Sequence, residues 1–112
     1  MVLSQGTKNM DQESAIEIGR KFLLLLLRNN YPVKQMYLYG SYARGNHHKD
    51  SDIDLAIIMN ELPDPFQTQV NLLKLTWKFD TRVEPHPFDQ KDFASENPVI
   101  KEILRTGIEI SA

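Results

Sequence analysis

Asp52 and Asp54 are the residues whose types and spacing most directly suggest chemistry. They are two apart at the start of an aliphatic run ending at Met59, so in a strand both carboxylates project from one face. At ~4 Å such a pair repels by about 1 kcal/mol in water and ~4 kcal/mol at an effective dielectric near 20. That is enough to raise one pKa or to recruit a cation, and a divalent ion bridged by both acids is the economical solution. A lone Asp-x-Asp, by contrast, reads more simply as an acidic strand end facing water. Upstream lies Gly40-Ser41-Tyr42-Ala43-Arg44-Gly45, with two glycines where backbone amides could approach a phosphate closely, a hydroxyl from Ser41 and a planar cation from Arg44. The run is neither a Walker loop nor a three-glycine dinucleotide fingerprint, and alone it is equally a tight strand-to-helix turn.

Elements on either side must hold these groups. Residues 11–29 place Ala15, Ile16, Phe22, Leu23, Leu26 and Leu27 at three- and four-residue spacings, which predicts a helix capped by Asp11 and stopped at Asn29-Asn30. The first ten residues lack periodicity and are expected to be a flexible arm, leaving residues 11–112 as one domain. Residues 33–39 predict a strand running into Gly40. A loop with room for a short helix follows, then a strand over residues 53–59 with Ile53, Leu55, Ile57 and Met59 on its core face. Asp64-Pro65 predicts a second capped helix carrying Phe66, Val70, Leu73 and Trp77, a stripe read as core or as an oligomer face. Residues 81–88 predict a third strand, placed at an edge or bulge because Pro85 and Pro87 cannot donate to a ladder. Asn97-Pro98 opens a last helix stopped by Gly107, and residues 108–110 have strand character.

The 112 residues fit one domain of ordinary size, with 41% hydrophobic and 25% charged residues. Thirteen basic against fifteen acidic residues leave a net charge of −2, so direct nucleic-acid binding is not expected. The absence of cysteine excludes disulfides, thiol nucleophiles and zinc-thiolate centres, and favours hard cations on oxygen ligands. The apolar run over residues 22–27 is far shorter than the roughly 20 residues that cross a bilayer. With no cleavable leader visible, a cytoplasmic location without membrane attachment is expected.

Taken together, Gly40-Ser41, ten intervening residues and Asp52-x-Asp54 resemble the signature of the polymerase-beta-like nucleotidyltransferase superfamily. The short chain is similar to its minimal nucleotidyltransferases, and the spacer to that of the MntA-type antitoxins of HEPN/MNT toxin–antitoxin systems. The resemblance implies an α/β fold with a small mixed sheet backed by helices. It implies that Gly40, Ser41, Arg44 and Gly45 hold the triphosphate of ATP, and that Asp52 and Asp54 bind one or two Mg²⁺ ions. A third family carboxylate, usually Asp, maps to Glu84, where it would complete the catalytic and metal-binding set. It further implies transfer of AMP to a hydroxyl, that of a tyrosine, on a helical HEPN-family RNase toxin, with which the chain would form a hetero-oligomer. A binding-only antitoxin and a stand-alone nucleotidyltransferase for another acceptor are the alternatives. By strand alternation Arg82 and His86 should share the face of Glu84, although His86 is read here as part of a solvated edge. His47 and His48 stay outside the site, Lys49 is read as a loop charge, Tyr37 and Tyr39 as packing residues, and Tyr42 remains a candidate for stacking on a base.

Overall fold

The computed structural model describes residues 10–93 and 96–112. The arm expected over residues 1–10 lies outside these, apart from Met10, which packs against the core and places its sulfur 3.6 Å from the Arg82 guanidinium. The order of elements follows the sequence reading: α1 (Gln12–Arg28), β1 (Val33–Tyr39), the one-turn α2 (Ser41–Arg44), β2 (Ile53–Met59), α3 (Pro65–Phe79), β3 (Val83–Asp89), α4 (Pro98–Thr106) and β4 (Ile108–Ile110). Each long helix starts where a polar side chain satisfies an otherwise orphaned amide. Asp11 accepts from the Ser14 amide at 2.8 Å, Asp64 from Gln67 at 3.0 Å, and Asn97 from Val99 at 2.8 Å.

The four strands form one mixed sheet in the order β3-β2-β1-β4. β1 runs antiparallel to β2 and to β4, whereas β2 and β3 are parallel and joined through α3. Central β2 is buried along almost its whole length because both of its faces are covered. On one face Ile53, Leu55, Ile57 and Met59 meet Phe22 and Leu26 of α1 and Leu72 of α3. On the other, Ala56 and Ile58 meet Ile103 of α4, with Tyr37, Tyr39, Phe88 and Phe93 around them. β3 is an edge strand, as its prolines require. Pro85 turns its backbone to the open side, where its carbonyl accepts a hydrogen bond from the Gln69 side chain at 2.6 Å.

The apolar stripe read on α3 is the wrong one for the core. Phe66 and Trp77 are 77% and 68% exposed, whereas Leu72 and Thr76 are buried, with Leu75 and Phe79 packed beside them. Apolar residues lie all round this helix, so its periodicity did not choose a face. The ring contact of Phe79 with Phe22, at 5.5 Å between centroids, shows which side meets α1. The Leu23–Leu27 run divides similarly, with Leu23 and Leu26 inside and Leu24 and Leu27 partly in water. Leu72→Ala is therefore expected to cost about 2–5 kcal/mol in urea unfolding. Trp77→Gln should change stability by roughly 0.5 kcal/mol or less.

Candidate active site

Strand pairing assembles the site from three separate segments. Antiparallel register sets Tyr39 opposite Asp54, so the Gly40 turn leaves β1 beside the start of β2. Parallel register sets Glu84 opposite Asp54 and His86 opposite Ala56. Asp54, Glu84 and His86 consequently share the sheet face that α4 covers only in part. One ligand atom from each lies within 4.8 Å of the others. Asp52, just before β2, is exposed, and its carboxyl adjoins that of Glu84.

Gly40 links the turn to the acids. Its φ of +75° lies where side-chain-bearing residues are strained, and a Cβ there would overlap the Asp54 carboxylate. Gly45 has φ +80° and ends α2 by donating its amide to the Ser41 carbonyl, with open space where a Cβ would stand. The first glycine thus serves close approach as well as conformation, the second conformation alone. The turn is also held from behind: Gln12 of α1 donates to the Tyr42 carbonyl at 2.9 Å. The Tyr42 ring is buried and stacked on His47 at 4.2 Å, and is therefore unavailable to a nucleotide base.

The electrostatics are those of crowded like charges. Glu84 is held above the usual carboxylate range, first by its hydrogen bond with Asp52, then by burial and by the charges of Asp52 and Asp54, with His86 opposing. Tyr39 is pushed well above the usual phenol range by burial, then by Asp54 and Glu84. A divalent cation suits this donor set, since carboxylate oxygens converge, no thiolate is available, and the missing Gly40 side chain leaves the Asp54 carboxylate its space. Asp54 and Glu84 are the acids placed to hold it, whereas the expected third acid, Asp52, stands outside that group of converging donors and adjoins Glu84 alone.

Two expectations change. His86 is not a bystander on a solvated edge: its Nε2 lies 3.9 Å from Asp54 and 4.0 Å from Glu84, and its ring meets Tyr39 edge-on at 5.7 Å. The two-residue alternation with Glu84 was the signal for it. Arg82 precedes β3, so alternation does not govern it, and its guanidinium engages both oxygens of Asp80 at 3.0 and 2.7 Å. Arg44 extends toward α4, with Nη1 3.7 Å from Glu102. That pair is surface-exposed and worth little, which leaves the guanidinium cheap to redirect. Gln12, which no sequence signal marked, is the tether that sequence reading missed. A cavity of about 430 Å³ bounded by Asn60, Leu62, Asp89 and Lys91 sits at the far ends of β2 and β3. The carboxylates stand instead at an open end of the sheet.

Gly40→Ala is expected to destabilise the fold by about 1–3 kcal/mol and Gly45→Ala by about 1 kcal/mol, measured by chemical denaturation. Because the folded state raises the proton affinity of Glu84, its contribution is fully present below the ordinary glutamate pKa and is lost as pH rises through the folded value. Without metal, Glu84→Gln should therefore raise the melting temperature at neutral pH. The gain should vanish below about pH 4, as read by thermal scans across pH.

Comparison with known proteins agrees with this geometry. The family model described as polymerase beta, nucleotidyltransferase, matches residues 23–112. The protein adenylyltransferase MntA of Shewanella oneidensis is 33% identical over 69 residues, 61% of this chain and 50% of that protein, so the chain spans half the length of that relative. A toxin–antitoxin complex solved with AMP-PNP superposes with a TM-score of 0.59 at 26% identity, covering 83% of this chain and 73% of the other. A complex of tri-AMPylated HEPN toxin with its MNT antitoxin, also from Shewanella oneidensis, shares the fold with a TM-score of 0.52 at 20% identity, over 87% of this chain and 72% of the other. With the Gly40 turn beside Asp54 and a family match over most of its length, this chain belongs to the polymerase beta nucleotidyltransferase family.

Proposed function

We propose that this chain is a divalent-metal-dependent protein adenylyltransferase that moves AMP from ATP onto a tyrosine hydroxyl of a HEPN-type toxin and so acts as its antitoxin. The observation that carries this reading is the convergence of Asp54 and Glu84 beside the Gly40 turn, with Asp52 adjoining Glu84. A matching relative is named a protein adenylyltransferase, and matching solved complexes pair an antitoxin with its toxin, one with AMP-PNP and one with an AMPylated HEPN toxin. Carboxylate oxygens suit Mg²⁺ or Mn²⁺.

In this reading Gly40, Ser41 and Gly45 present backbone and hydroxyl to the triphosphate, and Arg44 swings from Glu102 to steady it. Asp52, Asp54 and Glu84 would hold the metal, which would supply positive charge to offset that developing on the phosphates. The acceptor oxygen forms a bond to the α-phosphorus as the bond to the bridging oxygen of pyrophosphate breaks. The hydroxyl proton passes to a neighbouring carboxylate or to water. No covalent intermediate with the chain is required. The site lies on an open sheet end of a small domain, a geometry suited to an acceptor side chain delivered by another protein.

The test is incubation with ATP, Mg²⁺ and a HEPN-type toxin, followed by intact mass measurement of that toxin. One or more added AMP groups are expected. Asp52→Asn and Asp54→Asn should each abolish the gain, a loss of at least about a hundredfold, while circular dichroism shows the fold retained. Neutralisation of the toxin with no mass gain would instead establish inhibition by binding alone. Transfer to other acceptors only would establish a stand-alone enzyme.

A further inference from the structure

We propose that His86 is a nitrogen ligand of the catalytic metal, making this an imidazole-containing centre that takes Mn²⁺ in preference to Mg²⁺. The inference rests on the nucleotidyltransferase reading and specifies which ion its carboxylates accept.

Three observations support it. First, β3 advances by two residues from Glu84 to His86, so both side chains leave the same strand face toward β2. Second, the residue opposite His86 is Ala56, the smallest side chain on that face of β2, and its neighbour toward the site is Asp54. The imidazole therefore has room to lean along the strand, and Nε2 comes to 3.9 Å from Asp54 Oδ1 and 4.0 Å from Glu84 Oε1. Third, the Tyr39 ring, at 5.7 Å and 67° to the imidazole, supports His86 from the β1 side.

Nε2 is too far from either carboxylate for a direct hydrogen bond, which would be nearer ~2.8 Å. It belongs instead to a group of donor atoms, one each from Asp54, Glu84 and His86, that lie within 4.8 Å of one another, close enough for one ion to draw together. An imidazole in an otherwise oxygen donor set raises affinity for first-row transition ions over Mg²⁺, which binds nitrogen poorly. Mn²⁺ combines tolerance of imidazole with the carboxylate and phosphate coordination that nucleotide transfer needs.

The experiment titrates the purified full chain with MnCl₂ alone, following loss of the free-ion electron paramagnetic resonance signal, and with MgCl₂ in competition. Pulsed resonance on the bound Mn²⁺ then looks for ¹⁴N coupling from an imidazole. Wild type should show that coupling and bind Mn²⁺ more tightly than Mg²⁺. His86→Gln should lose the coupling and weaken Mn²⁺ binding by about tenfold or more, with Mg²⁺ affinity changed less than about twofold. Bound Mn²⁺ without ¹⁴N coupling in wild type, or coupling that persists in His86→Gln, would overturn the assignment. Asp54→Asn separates this from failure of the site itself. If Asp54→Asn binds both ions as wild type does, the metal-centre reading falls. If it binds neither while wild type lacks the nitrogen signal, only the role of His86 falls. Thermal scans of both variants show whether each has folded.

Discussion

Negative charge crowded at the adjacent ends of two parallel strands is the constraint on which the rest of this domain depends. Asp54 and Glu84 are opposite one another in register, and Asp52 adds a further carboxylate beside Glu84 at the strand entry. In isolation these groups would spread apart. They stay together because β2 is the best-anchored element of the fold, paired on both edges and buried on both faces. Its position is set by the apolar core, so the carboxylates inherit a geometry that their own charges disfavour. A cation at that place would relieve the repulsion, which is already present before any ion arrives.

The two faces of the sheet divide the labour. α1 and α3 cover one face and supply most of the core through Phe22, Leu26 and Leu72. The other carries a smaller cluster under α4, centred on Ala56, Ile58 and Ile103. Its lighter cover leaves Asp54, Glu84 and His86 only partly buried. Among the described residues no helix is long and apolar enough to cross a membrane.

The turn after β1 shows how closely the Gly40 backbone and the acids are tied. Gly40 lacks the atom that would displace Asp54, and Gln12 fixes the Tyr42 carbonyl from a different helix. The buried Tyr42 ring stacked on His47 then seats the short helix α2 against α1. A change in any of these would move the turn relative to the carboxylates without altering an acid.

Local physics was legible in the sequence. The caps at Asp11, Asp64 and Asn97, the alternation of residues 53–59, the edge placement required by Pro85 and Pro87, and the spacing from Gly40-Ser41 to Asp52 each depend on a few neighbouring residues. What required the tertiary structure was every relation set by contacts between distant segments. Parallel pairing of β3 with β2 decided that Glu84 faces Asp54 and that His86 reaches the same place. The Asp80 pair drew Arg82 aside, and the packing of Phe79 on Phe22 chose the buried side of α3 over the stripe bearing Phe66 and Trp77. Register and helix rotation are settled by competition among apolar surfaces far apart in the chain. A pattern confined to one element leaves several of those outcomes equally satisfied until the others are in place.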